Sequence, residues 1–310
     1  MAKRPLHITN GSVLTARLEE LQFSGDMLTW QEMLCEGPTI ETIDSPEFIK
    51  LRKGFFSKFY DIELNTAEIK KALKKMENPE KYSEINLWFE YDLFCHMNMI
   101  GVIALIQQKK IKLPIYLITS GRVRGSKNLK ALTELTDNQL FSHFDKKVKL
   151  TPKDIDMVLS IWGIYCGKDH NLLKPFIVTN STFKYLSNCL KAHLERFPNT
   201  FTGLNRLENN ILTIIRDHTI KSRNHLLGYA LNYQGYYGYG DLQMNRIIEK
   251  LSIFFNEKED LISLNRKGHE ALLGQHNFSE EINNNTPFGG VNKLDFQFNT
   301  HENKLVKTVS

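Results

Sequence analysis

The sequence predicts an α/β protein: an N-terminal parallel-sheet, Rossmann-like domain, followed by a mainly helical domain that ends in a winged-helix-like unit. Three observations support this prediction. β-prone runs alternate with helical periodicity up to about residue 120, the pattern is helical from Thr151 onward, and a short strand, turn and helix close the second half. The predicted domains are 1–148, the candidate ligand-binding domain, and 149–310.

In the first half, each strand is expected to be followed by a turn and a helix. Strands are predicted at 6–9, 27–30, 85–89 and 114–119 because these runs are apolar and end at polar or glycine-containing breaks. Helices are predicted from Val13 and around Met97, where apolar residues recur at helical spacing. Two further helices, at 47–60 and 66–76, are interpreted as an insertion that covers one face of the sheet.

In the second half, helices are predicted from Thr151 through Trp162 and at 181–196, 224–233 and 241–251. A strand at 261–264, a turn and a short helix then follow, as in the wing of many winged-helix domains. Residues 201–275 hold 9 basic and 8 acidic side chains, which leaves little charge for neutralising phosphates. A packing or protein-interaction role is therefore favoured over nucleic-acid binding, which stays an alternative.

Composition and charge exclude several classes of protein. With 41% hydrophobic and 24% charged residues, the chain is neither a disordered tail, nor collagen-like, nor a disulfide-dense miniprotein. The net charge of +5 is too small to indicate nucleic acid by itself. The charge is unevenly distributed along the chain, however. Residues 1–50 carry a net charge of −4, and residues 101–150 carry a net charge of +7. The basic stretch at 109–130 either holds an anion or solvates one face.

Nothing in the sequence indicates secretion or membrane insertion. The N-terminal residues turn polar before an apolar stretch that a signal peptide would need. The longest apolar run, 99–106, is far shorter than the roughly 20 residues that cross a bilayer. The four cysteines show no CxxC spacing, which favours reduced thiols. A cytoplasmic protein without membrane association is expected.

The unusual polar residues follow the predicted strands, at the edge where parallel sheets bind ligands. Carboxylates at this edge are candidate acid, base or hydroxyl-binding groups, and helix N-termini favour anions. The candidate ligand-binding residues are Asn10, Ser12, Glu32, Glu36, Glu90, Asp92, Arg122 and Arg124.

A purely structural interpretation stays open for several of these residues. Asn10 and Ser12 are expected to cap a helix, Glu36 to shape a turn, and Asp92 to cap the next helix. Neither a dinucleotide nor a phosphate-loop nucleotide is indicated, because the first turn has one glycine where a dinucleotide fingerprint needs three, and residues 121–127 lack the Gly-Lys-Ser/Thr order of a phosphate loop. The cofactor is left unknown. Cys95 stands beside a histidine without a third partner at suitable spacing, so no metal is predicted.

Short segments resemble an uncharacterised bacterial family. LHITNG at 6–11, WQEMLCEGP at 30–38 and LWFEYD at 87–92 resemble domain of unknown function 1835. GLNRLE at 203–208 and FGG at 288–290 are similar to its usual companion, domain of unknown function 3658. The resemblance covers nearly the whole chain and implies the same architecture, while leaving the chemistry open.

This chain departs from that family at four polar positions. The family pattern has an acidic residue at Ser12, a histidine at Tyr91, and an acidic and an amide residue at Cys95 and His96. If those groups transfer protons in the relatives, the reaction is lost or altered here. Catalytic residues are therefore not assigned, and whether the protein is an enzyme is left open.

The predicted function is binding of a small phosphorylated or nucleotide-like ligand at the carboxyl ends of the parallel strands. One alternative is a ligand-responsive regulator whose second half binds nucleic acid, which would show steep salt dependence. Another is an interaction module without chemistry, which would have a protein partner.

Overall fold

The computed structural model describes residues 3–308. Its first half alternates strands and helices in the predicted order, with additional short strands. The elements are β1 (Arg4–Asn10), α1 (Ser12–Glu20), β2 (Asp26–Trp30), β3 (Gly37–Pro38), α2 (Pro46–Tyr60), α3 (Thr66–Leu73), β4 (Tyr82–Trp88), α4 (Leu93–Gln108), β5 (Ile115–Ile118), β6 (Gly121–Arg122), β7 (Leu129–Lys130), α5 (Asp137–Asp145) and β8 (Val148–Lys149).

The second half is mainly helical and contains three small β-pairings. Its elements are α6 (Pro152–Cys166), α7 (Lys174–Val178), α8 (Leu186–Leu194), α9 (Arg206–Asp217), α10 (Arg223–Asn232), α11 (Asp241–Lys250), β9 (Phe255–Lys258), β10 (Leu261–Leu264), α12 (Arg266–Leu272), α13 (Ser279–Ile282), β11 (Pro287–Gly289), β12 (Val291–Asn292), β13 (Phe296–Asn299) and β14 (Lys304–Lys307).

The central sheet has five strands in the order β2-β1-β4-β5-β8. The first four are parallel, with Ile8 of β1 opposite Leu28 of β2 and Leu87 of β4. β8 lies antiparallel to β5, and the sequence does not predict it because two exposed residues leave no apolar pattern. A mixed α/β fold with a mainly parallel sheet is confirmed. The Rossmann-like description stays a prediction.

Helix α4 lies at the centre of the molecule. Every residue from Leu93 to Ile106 except Phe94 is buried, because the helix is mostly apolar and packs against α6 and α8, and its side chains belong to the same core cluster as those of the sheet. A Cβ atom at Gly101 would lie 2.3 Å from the Leu34 side chain, so glycine allows the loop after β2 to approach the helix closely. The main core cluster contains residues of both halves, and the division at 148/149 stays a prediction.

The second half contains the predicted helices with shifted ends. α10 and α11 occupy the predicted positions, and α9 is an additional helix. The helix predicted at 181–196 begins only at Leu186, since Ser181 instead bonds the backbone of Phe183 through its hydroxyl. β10 pairs with β9 as an antiparallel hairpin. The winged-helix arrangement stays a prediction.

A short parallel pairing of β3 with β11 connects the loop after β2 to the C-terminal part of the chain.

Across residues 3–308, no helix combines the length and apolar character needed to cross a membrane.

Candidate functional site

The N-terminus of α1 is open. Gly11 follows β1 with φ 90°, and its N–H donates to the carbonyl oxygen of Trp30 at 3.1 Å. No side chain within residues 3–308 caps α1, so the predicted capping roles of Asn10 and Ser12 are wrong. The space beside the Cα of Gly11 is empty to 4 Å, and Ser12 is exposed. The first-turn N–H groups of α1 therefore remain able to receive an anion.

The N-terminus of α4, in contrast, is closed. The Asp92 carboxylate accepts the Cys95 N–H at 2.8 Å, which confirms the predicted cap. The N–H groups of Leu93 and Phe94 donate to the carbonyl oxygens of Tyr236 and Tyr237 at 2.7 and 3.2 Å. Backbone from the second half thus occupies the position where an anion would bind at α4.

A buried arginine on α2 shapes the loop that follows β2. Arg52 is 1% exposed in its side chain and pairs with Glu32, which is 9% exposed, at 3.0 Å. The same guanidinium donates to the carbonyl oxygens of Met33 at 2.8 Å and Glu36 at 2.7 Å. The sequence does not single out Arg52, because a single arginine on an amphipathic helix is typical of a solvated face.

An amide on α4 connects the ends of β1 and β2. The Asn98 side chain donates to Oδ1 of Asn10 at 2.8 Å and to the carbonyl oxygen of Glu32 at 2.6 Å, and it accepts the Leu34 N–H at 3.0 Å. Asn10 in turn donates to Sγ of Cys95 at 3.1 Å. Asn98 was also missed, although an amide within an otherwise apolar helix is a signal that points to such a role.

Two adjacent cavities lie at the carboxyl ends of β1 and β2. The first, termed the carboxyl-edge cavity, has a volume of about 260 Å³, and the second, termed the helical cavity, has about 220 Å³ and extends between β2, α2 and α3. Trp30, Gln31 and Glu32 line both. The carboxyl-edge cavity is lined by Asn10, Gly11, Trp30, Gln31, Glu32, Met33, Phe56, Tyr60, Ile62, Phe94, Leu242 and Gln243.

Trp30 in the shared wall has an unsatisfied polar group. Its side chain is 6% exposed and its indole Nε1–H finds no acceptor in the described part of the chain. The other two tryptophans are satisfied: Trp88 donates to Nδ1 of His7 at 3.0 Å, and Trp162 donates to the carbonyl oxygen of Glu41 at 2.9 Å. Because a buried donor without an acceptor costs about 1–3 kcal/mol, an acceptor brought within hydrogen-bond distance of the Trp30 indole N–H would be stabilising.

A second group of polar residues lies at the end of β4. One ligand-type atom from each of Glu90, Asp92 and Cys95 lies within 4.8 Å of the others. Burial, with a contribution from Asp92, raises the pKa of Glu90 to about 7, and burial raises the pKa of Asp92 to about 6. Such carboxyls are able to exchange protons near neutral pH. The three side chains are also close enough to hold a divalent cation, and the expected absence of a metal stays a prediction.

The other predicted site residues lie elsewhere. Glu36 is buried and bonded to Arg246 at 3.1 Å and to the hydroxyl of Tyr60, so it has a structural partner. Arg122 and Arg124 are exposed on β6 and the following turn, outside both cavities. Of the eight candidates, only Asn10 and Glu32 line the carboxyl-edge cavity. Ser12 directly follows the lining residue Gly11 in the chain.

Glu90→Gln tests the burial of this carboxyl through the pH dependence of stability. A folded-state pKa of about 7, above the ordinary 4.5, means that the unfolded chain loses its proton first, so the Glu90 carboxyl destabilises the fold increasingly between about pH 4.5 and 7. Glutamine keeps the acceptor for the Leu132 N–H without the charge. Urea denaturation is expected to show the variant gaining stability relative to wild type across this interval, and a constant difference would contradict the account.

Comparisons with known proteins give little information on this site. No protein-family model matches the chain, and no curated protein matches it. Among solved structures it is similar to the DNA-binding, cleavage and re-ligation domain of Plasmodium falciparum topoisomerase II, with 13% identity and a TM-score of 0.47. The alignment covers 80% of this chain but only 42% of that one. A similarity at this level carries neither a fold assignment nor a function, and the resemblance to the two domains of unknown function stays a prediction.

Proposed function

We propose that the protein binds a small nucleotide-like ligand in the carboxyl-edge cavity. The observation that carries this proposal is Trp30, which lines a cavity together with Gly11 and whose buried indole N–H has no acceptor within residues 3–308. An unpaired buried donor of this kind calls for an acceptor, which a ligand would supply.

The lining favours a flat heterocycle with polar edges. Trp30, Phe56, Tyr60 and Phe94 offer aromatic surface for stacking or edge contacts. Glu32 uses Oε2 for the Met33 N–H and Arg52, and no hydrogen bond within residues 3–308 occupies its Oε1. Apolar walls with a few placed polar groups are typical of small-molecule sites.

The open N-terminus of α1 is the proposed position of a phosphate. Gly11 lines the cavity and leads directly into the uncapped first turn, whose N–H groups and dipole favour negative charge. A phosphorylated ligand would thus place its base beside Trp30 and its phosphate beside Gly11. Binding is the proposed activity; Glu90 and Asp92 do not line the cavity and have no assigned catalytic role.

The nucleic-acid alternative rests on other residues. Arg122 and Arg124 are exposed, and no salt bridge within residues 3–308 involves either side chain. Binding of nucleic acid through such groups would weaken steeply as salt is raised, whereas a ligand with a single phosphate at the end of α1 would show a shallower salt dependence. No contact in the structure favours this alternative over the cavity.

Isothermal titration calorimetry with nucleoside 5′-monophosphates, the corresponding nucleosides and ribose 5-phosphate tests the proposal. We expect at least one monophosphate to bind, and its nucleoside to bind at least about tenfold more weakly. Ser12→Asp, which places a carboxylate at the open helix end, should weaken the monophosphate by about tenfold.

Ser83→Asp is the matched control, because Ser83 is exposed on β4 near the opposite, amino end of the strand. It should leave binding unchanged. Absence of binding throughout the panel, or equal weakening by both substitutions, would overturn the proposal.

A further inference from the structure

A small cavity with an excess of buried positive charge lies where the loop after β2 meets the second half. Its volume is about 10 Å³, room for one atom-sized occupant. We term it the basic cavity. It is lined by Glu36, Arg196, Asn205, Leu207, Tyr237, Tyr239, Arg246, Ile247, Asn284, Thr286, Phe288 and Lys293.

Arg196 is a buried cation with no carboxylate partner among the described residues. The residue is 2% exposed, and no ion pair within residues 3–308 involves its guanidinium. It donates to the Tyr239 hydroxyl at 3.1 Å, to the carbonyl oxygen of Cys35 and to Nδ1 of His193, and it lies 4.0 Å from the centre of the Phe288 ring. Its Nε–H has no acceptor in the part of the chain that the structure describes.

The other charged groups of the basic cavity compensate one another. Arg246 pairs with Glu36 at 3.1 Å, and Lys293 pairs with Glu208 at 2.6 Å. Burial and the neighbouring Arg196 hold the pKa of His193 well below its ordinary value, so this imidazole is neutral. Among residues 3–308, the positive charge of Arg196 therefore remains without a counterion, although buried charges are ordinarily paired.

Tyr237, a second lining residue of the same cavity, also carries an unsatisfied donor within residues 3–308. Tyr237 is 3% exposed, and its hydroxyl has no hydrogen-bond partner in the described chain. We propose that the basic cavity binds one single-atom monovalent anion of the chloride class, held by Nε of Arg196 and the hydroxyl of Tyr237. A water molecule would satisfy these donors but would leave the charge of Arg196 uncompensated.

Such an anion would also stabilise the contact that closes α4. The carbonyl oxygen of Tyr237 accepts the Phe94 N–H at 3.2 Å. A Cβ atom on the neighbouring Gly238 would lie 2.2 Å from Cγ of Asp92, so this loop lies directly on the helix cap. Fixing the Tyr237 ring thereby fixes the backbone that covers the N-terminus of α4.

Thermal unfolding in chloride against gluconate at constant ionic strength is the first test. We expect a saturable rise in Tm of about 2 °C or more with chloride for the wild-type protein, because a ligand of the folded state stabilises it. Tyr237→Phe should lose this dependence. The control is Tyr82→Phe, which removes a tyrosine hydroxyl that donates to Asp26. This variant should keep the chloride dependence of Tm.

Bromide provides a test that needs no variant. Crystals of the wild-type protein soaked in bromide should give an anomalous difference peak between Arg196 and Tyr237. A chloride-independent Tm in the wild-type protein, or a cavity peak without anomalous signal, would identify a water site and overturn the proposal.

Discussion

Arg52→Met is expected to destabilise the protein by about 3–5 kcal/mol, the range for breaking a buried ion pair by removing one partner. The substitution leaves the Glu32 carboxylate without its cation and the carbonyl oxygens of Met33 and Glu36 without their donor. Methionine preserves most of the apolar stem, so the loss reports the guanidinium itself. Urea denaturation followed by circular dichroism measures this change.

The adjacent Lys53→Met is the control for Arg52, because Lys53 is exposed on the same helix. Its effect should stay within about 0.5 kcal/mol. The double variant Arg52→Met with Glu32→Gln should recover part of the loss, since it also removes the stranded charge. A loss below about 1 kcal/mol for Arg52→Met alone would show that this arginine does not organise the loop.

Lys293→Met is expected to cost a similar amount, about 3–5 kcal/mol, because Glu208 would be left charged and buried. The two side chains are 3% and 1% exposed, with Nζ and Oε1 2.6 Å apart. Asn284 and the Asn205 N–H also donate to this carboxylate, but neither carries a charge. Denaturant titration at neutral pH measures the difference.

Lys304→Met provides the comparison for Lys293. Lys304 pairs with Glu302 at the surface, where both side chains are about half exposed. Its removal should change stability by less than about 1 kcal/mol. If the two lysine variants proved equally mild, the buried charge cluster would not contribute to stability as described.

The strands and helices that the sequence predicts correctly are those with sustained apolar patterns. β1, β2, β4 and β5 are runs of core residues, and α4 is mostly apolar, so local sequence suffices for them. β3 and β8 are two residues long and form only because distant segments, β11 and β5, lie beside them. No local pattern encodes such a pairing.

The candidate site was only partly predictable, for the same reason. Polar residues directly after strands, such as Asn10 and Glu32, were identified because parallel topology brings strand ends together. The partners that orient them, Arg52 and Asn98, lie on other elements. In the sequence, Arg52 has the pattern of a surface arginine, and Asn98 is an amide in a mostly apolar helix. Glu36 was expected at the sheet edge, but its partner Arg246 is 210 residues away and draws it into the basic cavity.

The three tryptophan indole signals in a ¹H–¹⁵N correlation spectrum test the central claim most directly. On saturation with a nucleoside 5′-monophosphate, the Trp30 indole resonance, assigned with Trp30→Phe, should shift strongly as its N–H gains an acceptor. Those of Trp88 and Trp162, already bonded to His7 and to the Glu41 carbonyl, should stay in place. A spectrum in which the Trp30 indole signal does not move would contradict a ligand site in the carboxyl-edge cavity.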